Sequence, residues 1–550
     1  MPPREPYNPS ALQRRTYGTV GLTLLVGLYL LTGLTGHEPW RGDDARHFGP
    51  VFSMLQGEGL LFPAIAGLPF PDFPPLYYWV AALLATLTGS ILPPHDGARL
   101  ASAVFTAMTV YWIARAAERF YGRPARTPAA LLTLGSLGLV LHAHETQPML
   151  ALMAMVALVI NGLARVPQQP VGGSLQAGLG SALALLAGGL SGAILTLPLF
   201  LLVMTACPDC RNPRASGGLL AGLSLATLLG ALWPLLIHLT EPELLSLWLH
   251  REWTSLTSDA LRGGDLNRLA ELLSWFAWPL WPIALWALWR ARRRMLELRW
   301  LLPLLSALIA IGIIIAEGDL SPTAALPLLP SVALLAAGGV PVLRRGAANA
   351  FDWFGVMSFG VFATLVWIAW TAQAYAWPPG LARHIARVTP SFTHGDGLLQ
   401  PAIGIAICAL WIVLVWRLPR TTTRATANWA MGMTMLWCLA VTLLMPWFDY
   451  GRSYRPAVTS LQQALRPHKA ECVASTGLPD AVRSALDYYA GIRPALTRDG
   501  TTPCRLLLTY SVRRQADGKP GSGWQPVWEY RRGGGKQLEV LQLYLRTDSN

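Results

Sequence analysis

The chain has 550 residues, 53% of them hydrophobic and 13% charged, with a mean hydropathy of +0.39. That balance excludes a soluble protein and indicates a polytopic α-helical membrane protein. The formal net charge of +13 does not point to nucleic acid, because most Lys and Arg residues sit in short segments between apolar runs.

Apolar runs of roughly 16 to 22 residues mark candidate spans, and arginine clusters mark the cytoplasmic side. The first run, Tyr17 to Thr35, follows Arg14 and Arg15, is long enough to cross and lacks a small-residue cleavage site, so it stays as helix one. It places an external loop at 37–96. Within that loop, Pro75 to Leu92 is apolar enough to be mistaken for a span. If it crossed, Arg115, Arg119, Arg123 and Arg126 would fall outside, so it is read as lying at the outer interface, anchored by Tyr77, Tyr78 and Trp79.

Helices two, three and four follow at 97–117, 127–143 and 148–164, with His144 to Gln147 outside. A helical hairpin of 175–190 and 192–206 ends at Arg211 and Arg214. Helix seven, 217–238, leads to an outer loop of 239–268, and helix eight, 270–289, ends at Arg290, Arg292, Arg293 and Arg294, the strongest cytoplasmic marker. Helices nine (299–316), ten (324–341), eleven (353–372), twelve (399–416) and thirteen (428–446) complete the set, with Arg344, Arg345, Arg417, Arg420 and Arg424 inside. About thirteen spans put the N-terminus in the cytoplasm and the C-terminal region on the side of the opening loop.

The chain thus divides into a membrane domain, 1–447, and a soluble unit, 448–550. The second is polar and mixed: a helix-like stretch at 454–466, a strand-like Cys472-Val-Ala-Ser, an amphipathic Ala481 to Tyr489, and strand-like runs starting at Arg505 and Leu538. It is read as a small α/β domain, with Gly518 to Gly523 and Gly533 to Gly535 as loops. Cys472 and Cys504 could form one bridge if this unit faces an oxidising compartment. Cys207 and Cys210 form a CPDC with no second ligand pair nearby and are read as incidental.

Chemistry concentrates after helix one. Asp43, Asp44, Arg46 and His47 fall within five positions at a membrane exit, where charge is expensive unless it serves a wet site. The acids could act as base, metal ligands or phosphate-facing electrostatics, or they could cap a helix in a solvated loop. His144 and Glu145 could bind a divalent cation with Asp43, or form a satisfied interfacial pair. His250, Arg251 and Glu252 could grip a phosphate or belong to an amphipathic interfacial helix. Arg383, His384 and Arg387 could face anionic headgroups or an anionic acceptor, but are read first as a plain solvated face.

The loop 37–80 carries Trp40, Asp43, Asp44, Arg46, Met54, Gly57, Pro63, Gly67 and then Asp72-Phe-Pro-Pro-Leu-Tyr-Tyr-Trp79. This pattern resembles the first external loop of GT-C class membrane glycosyltransferases, nearest to the bacterial lipid A aminoarabinose transferases and more distantly to protein O-mannosyltransferases. The resemblance implies a GT-C fold with an extracytoplasmic C-terminal domain in the bacterial inner membrane. It also implies transfer of a sugar, such as 4-amino-4-deoxy-L-arabinose, from undecaprenyl phosphate to lipid A, with inversion.

Asp43, with Asp44, becomes the catalytic candidate; Arg46, His47, Asp72, Tyr77, Tyr78, Gln147 and Arg251 become candidate substrate contacts; His144, Glu145 and His250 are candidate ligands should a divalent metal ion be used. The chain departs from the family pattern at four places. Phe73 replaces a Lys before the Pro-Pro, Gln147 an Asp, and the region of Ser191 a Lys, while the family's Lys-rich entry to helix ten is represented only by Asp319 and Ser321. The alternatives are transfer to protein or another envelope glycan, or a non-catalytic protein that binds a polyprenyl phosphate. A transporter is disfavoured because the predicted helix interiors lack ionisable relays.

Overall fold

The computed structural model describes residues 9–258, 265–389, 392, 395, 397–419, 423–468, 472–497, 502–512, 523–532 and 538–547. The glycine-rich stretches 518–522 and 533–535 lie outside them. Among the described residues, seven helices are long and apolar enough to cross a membrane, and an eighth if one bent pair counts as a single span. The architecture is therefore a helical membrane bundle with a sheet-containing C-terminal unit on one end.

α1 (Pro9–Leu31) leads into the loop, where α2 (Asp43–Leu55) and α3 (Leu76–Thr88) lie before the long α4 (Pro94–Tyr121). A two-residue hairpin, β1 (Ala64–Ile65) and β2 (Leu68–Pro69), separates α2 from α3. The segment expected as helix three is a helix only over α5 (Arg126–Leu134); beyond it the chain is irregular to a short turn at His142–His144. The sequence signal for the break is Gly135 and Gly138. A Cβ at Gly138 would lie 2.1 Å from the Phe276 ring, so only glycine permits this approach.

That approach has a partner. The expected straight helix eight is instead α10 (Leu266–Phe276) and α11 (Leu280–Ala291), bent by 95° just where Pro279 removes a backbone donor. The Leu137 and Gly138 amides donate to the Trp278 and Phe276 carbonyls at 3.1 and 2.9 Å. Each break satisfies polar groups that the other frees, the condition for irregular backbone within a bundle.

After α6 (Met149–Arg165) comes α7 (Pro170–Ala206), which folds back on itself at Gly188 and Gly189. Gly222 shows the fold-back: a Cβ there would meet both Ser174 and Phe200, at 2.3 and 3.1 Å. A continuous helix would hold those two residues about 39 Å apart. The two halves pack with α8 (Pro213–Thr240), so the expected hairpin is present. The remaining elements of the bundle are α9 (Pro242–Ser258), α12 (Leu298–Glu317), α13 (Leu329–Gly339), α14 (Arg345–Ala374), α15 (Pro379–Val388), α16 (Leu399–Arg417) and α17 (Arg424–Arg452).

The C-terminal unit consists of α18 (Arg455–Leu465), β3 (Val473–Thr476), α19 (Asp480–Ala490), β4 (Ala495–Leu496), β5 (Leu506–Val512), β6 (Trp524–Arg532) and β7 (Glu539–Arg546). The sheet order is β4-β3-β5-β7-β6, with β3 parallel to β4 and β5, and β7 antiparallel to β5 and β6. Leu506 and Leu508 alternate with Leu507, so the first two face α18 and α19 while the third joins Cys504 and Tyr544 on the other face. A Cys472–Cys504 disulfide ties the entry of β3 to that second face.

Ala45, on α2, belongs to the same core as Val458, Val482 and Leu506. The opening loop and the C-terminal unit therefore share one side of the bundle and one hydrophobic core.

Candidate active site

α2 begins on the acidic pair, where carboxylates favour the helix N-terminus, after a Gly42 held at φ 92°. The helical start turns the two acids to different surroundings. Asp44 is 1% exposed and saturated: it accepts from Arg99 Nη2 (2.8 Å) and Nε (3.3 Å) and from the amides of Trp40 (2.9 Å) and Thr146 (2.8 Å). Burial alone would raise its pKa, but the Arg99 guanidinium and the donated bonds hold it well below the usual carboxylate range.

Arg99, fully buried on α4, also donates to Asp96 (2.9 Å) and to the carbonyls of His37 (2.8 Å) and Glu38 (2.9 Å). One guanidinium thus ties the loop at 37–38 and at Asp44 to the first turn of α4. This corrects one expectation: Asp44 is a structural node, its carboxylate taken up by Arg99 and two backbone amides.

Asp43 is half-buried, and its Oδ2 lies 3.5 Å from Gln147 Nε2, at the limit of a hydrogen bond. One turn on, Arg46 pairs with Asp72, lies 3.6 Å from Asp480 of the C-terminal unit, and covers the Phe70 ring at 5.2 Å. Asp72 also accepts from Arg251 Nε at 2.9 Å. The structure therefore sets two groups of contacts one turn apart on α2: Asp43 with Gln147, and Arg46 with Asp72 and, through it, Arg251 on α9. Arg251, 52% exposed at its side chain, and Arg46, 32%, are the accessible cations of the second group.

The other expected contacts are packed away. His47 is buried, takes a 3.0 Å hydrogen bond with the Tyr78 hydroxyl and lies against Phe70 and Phe73, so burial and the nearby Arg46 keep it neutral. Tyr77 is 0% exposed, with its hydroxyl 2.7 Å from Ser102 and accepting the Gln147 amide at 3.1 Å. Tyr78 is equally buried. These three position the loop and do not face a ligand.

The expected cation site is not formed. Both ring nitrogens of His144 face carbonyls, Val140 at 2.6 Å and Tyr29 at 2.7 Å, which leaves none for a metal. Glu145 lies 3.4 Å from His142 and 3.8 Å from Arg452, while His250 is exposed on α9. Among the described residues no three His, Cys, Asp or Glu side chains form a metal-binding group. Arg383, His384 and Arg387 are exposed on α15.

Glu252, grouped in the sequence with His250 and Arg251 as a phosphate grip or part of an interfacial helix, turns inward instead. It is 8% exposed and accepts from the Leu190 amide (2.9 Å) and the Trp248 indole (3.1 Å), while Ser191 at the same hairpin donates to Glu317. A Cβ at Gly189, φ 60°, would sit 2.0 Å from the Glu252 carboxylate, so the α7 turn requires glycine there. Burial, with help from Glu317 and against the Leu190 bond, pushes Glu252 up to about 7.

Two outcomes follow from these contacts. Arg99→Met leaves Asp44 buried without its cation and should cost about 3–5 kcal/mol, seen as a fall in melting temperature of the detergent-solubilised chain; an unchanged melting point would refute the node. Glu252 has a folded pKa raised from 4.5 to about 7, so its contribution is fully present below 4.5 and is lost as pH rises through 7. Stability should fall by on the order of 3 kcal/mol across that window and stay flat above it, and Glu252→Gln should remove the slope in melting scans against pH.

No protein-family model matches the chain. Over 245 residues it is 26% identical to undecaprenyl phosphate-alpha-4-amino-4-deoxy-L-arabinose arabinosyl transferase 1 of Pseudomonas fluorescens, covering 43% of this chain and 42% of that protein. Over 119 residues it is 32% identical to the corresponding transferase of Pseudomonas aeruginosa, covering 22% of this chain and 21% of that protein. The matched part thus spans less than half the length of these curated relatives. In structure the similarity runs further: ArnT from Cupriavidus metallidurans, in its crystal structure bound to undecaprenyl phosphate, superposes with a TM-score of 0.69 at 17% identity, covering 96% of this chain and 98% of that one. Across almost its whole length the chain therefore has the fold of that protein, in the helical bundle and in the C-terminal unit alike.

Proposed function

We propose that the chain is a polyprenyl-phosphate-dependent glycosyltransferase that moves 4-amino-4-deoxy-L-arabinose from undecaprenyl phosphate to lipid A. The observation that carries this reading is the separation of the acid pair. Asp44 is consumed by Arg99, whereas Asp43 stays half-open one turn from Arg46, which shares Asp72 with Arg251. The names of the relatives supply the donor and the sugar; the acceptor comes from the likeness of residues 37–80 to aminoarabinose transferases.

In this scheme an acceptor oxygen attacks the anomeric carbon, and the bond from that carbon to the carrier phosphate breaks, its electron pair leaving with the phosphate. Asp43 takes the proton of an acceptor hydroxyl, or faces the positive charge that builds at the anomeric centre when the acceptor is already ionised. Arg46 and Arg251 meet the charge on the departing phosphate and exchange Asp72 for it as they do so. Because Phe73 offers no charge, these two arginines carry the role of the cation absent there. The residues present do not suit a divalent metal, so no step is assigned to one.

We also infer thirteen crossings with the N-terminus cytoplasmic and the C-terminal unit periplasmic, in the inner membrane. Counting α7 as two spans and α10 with α11 as one, and adding the shorter apolar helices Val20–Leu31, Met149–Arg165 and Leu326–Val342 and the segment that begins with α5, supports that number, with α3 left at the interface. The Cys472–Cys504 disulfide supports an oxidising location for the unit.

Asp43→Asn should abolish sugar transfer by the purified chain while leaving its melting temperature and its binding of undecaprenyl phosphate unchanged; turnover retained by that variant removes Asp43 from the chemistry. In a background in which Cys207, Cys210, Cys408 and Cys438 are replaced, Leu60→Cys should react with a membrane-impermeant maleimide in spheroplasts and Arg293→Cys only after permeabilisation. The reverse pattern would invert the topology.

A further inference from the structure

A cavity of about 700 Å³ lies between the loop that follows α1, the start of α16, α17 and the start of α18. Its floor is one face of α17, on which Val441, Thr442, Met445, Pro446 and Asp449 recur at helical spacing over a rise of about 12 Å. The floor is apolar at the end deeper in the bundle and ends at Asp449. There the lining turns polar, with Glu38, Ser453 and Arg455 from the loop and α18, and Gln400 from α16.

The side of this cavity is bounded by a helix that faces lipid, since α16 buries only Gly404 and Trp411. The space therefore has the form of a lipid site: a hydrocarbon slot running along a helix and a polar end level with the membrane surface. Its charge narrows the ligand. Two carboxylates, Asp449 and Glu38, stand against a single guanidinium, Arg455, which is 64% exposed and spends one Nη on Glu38 at 2.5 Å. Arg455 keeps further N–H donors for a phosphate, and the second carboxylate has no cation of its own in the lining. An anionic headgroup would meet net negative charge there, whereas a headgroup carrying both phosphate and ammonium would meet a partner for each.

We propose that this cavity binds an aminophospholipid, a glycerophospholipid whose zwitterionic headgroup sets its phosphate on Arg455 and its ammonium on Asp449, with an acyl chain along Val441 and Met445. The site touches the catalytic loop through Asp449. Its Oδ1 accepts the Glu38 amide at 2.9 Å and the Trp40 indole at 3.2 Å, three residues before Asp43. The lipid would be a resident ligand that secures this strand, separate from both donor and acceptor, and the inference does not depend on which sugar is transferred.

The test is native mass spectrometry of the full-length chain in detergent, offered phosphatidylethanolamine or phosphatidylglycerol with the same acyl chains. One phosphatidylethanolamine should be retained about tenfold more than phosphatidylglycerol, the preference expected of one charge-assisted contact. Thr442→Trp, which fills the slot without touching Glu38 or Trp40, should lower that retention to the level of phosphatidylglycerol, and Asp449→Asn should erase the preference. Equal retention of the two lipids by the unaltered chain would overturn the headgroup assignment. Undiminished phosphatidylethanolamine on a folded Thr442→Trp variant would overturn the site, and that variant decides the matter alone if Asp449→Asn does not fold.

Discussion

The buried contact between Asp44 and Arg99 is the constraint from which the rest of the site is built. A guanidinium with no exposure, at the start of a long apolar helix, is tolerable only when its charge and its donors are met, and here they are met by Asp44, Asp96 and two loop carbonyls. Those four partners come from 37–44 and from the first turn of α4 itself. Anchoring the loop is thus the same act as neutralising the cation, and neither can be given up alone. Once Asp44 is committed in this way, its neighbour in sequence must point elsewhere, because consecutive residues on a helix lie on different faces. The half-open position of Asp43 is a geometric result of the closed position of Asp44.

The same division runs through the cations. Arg99 is enclosed and structural, whereas Arg46 and Arg251 share one acid, Asp72, and keep exposed surface. An arginine that shares a carboxylate with a second arginine can release it to an incoming phosphate at modest cost, since the carboxylate remains neutralised by the other. Glu252 stands on the neighbouring position of α9 and caps the α7 turn, so the helix that presents Arg251 is held by the residue beside it. Presentation and support alternate along one short helix.

Much of the fold was legible in the sequence because it rests on hydropathy and charge. The arginine clusters, the α7 hairpin at Gly188 and Gly189, and the strands at Val473, Leu506 and Glu539 follow directly from those patterns. What escaped were features set by tertiary packing. The unwinding after Leu134 and the bend at Pro279 exist because each supplies hydrogen bonds to the other, which no single-segment pattern contains. β6 was missed because Pro526 and a charged, exposed face are what an edge strand shows, and such a strand has little hydrophobic signal. At the candidate site the sequence named Asp43, Arg46, Asp72, Gln147 and Arg251, but it did not show the burial of Asp44, His47, Tyr77 and Tyr78, since a polar residue carries the same letter whether it faces a ligand or a neighbour. Arg99 did have a signal: an Arg three residues after Asp96 at the head of an apolar helix.

The last element to be made is the one that completes the first. Ala45 is packed in the core of the C-terminal unit, Asp480 reaches Arg46, Tyr489 donates to Glu38 at 2.7 Å and Arg483 donates to the Ile65 carbonyl at 2.8 Å. Ribosomes make roughly 5–20 residues per second, so on the order of tens of seconds pass between emergence of the loop and arrival of the residues that close over it. During that interval the acids and arginines of the loop lack those partners. A chain interrupted before Arg455 would carry the loop without the residues that close over it, so the site is assembled only after the C-terminal unit has been made.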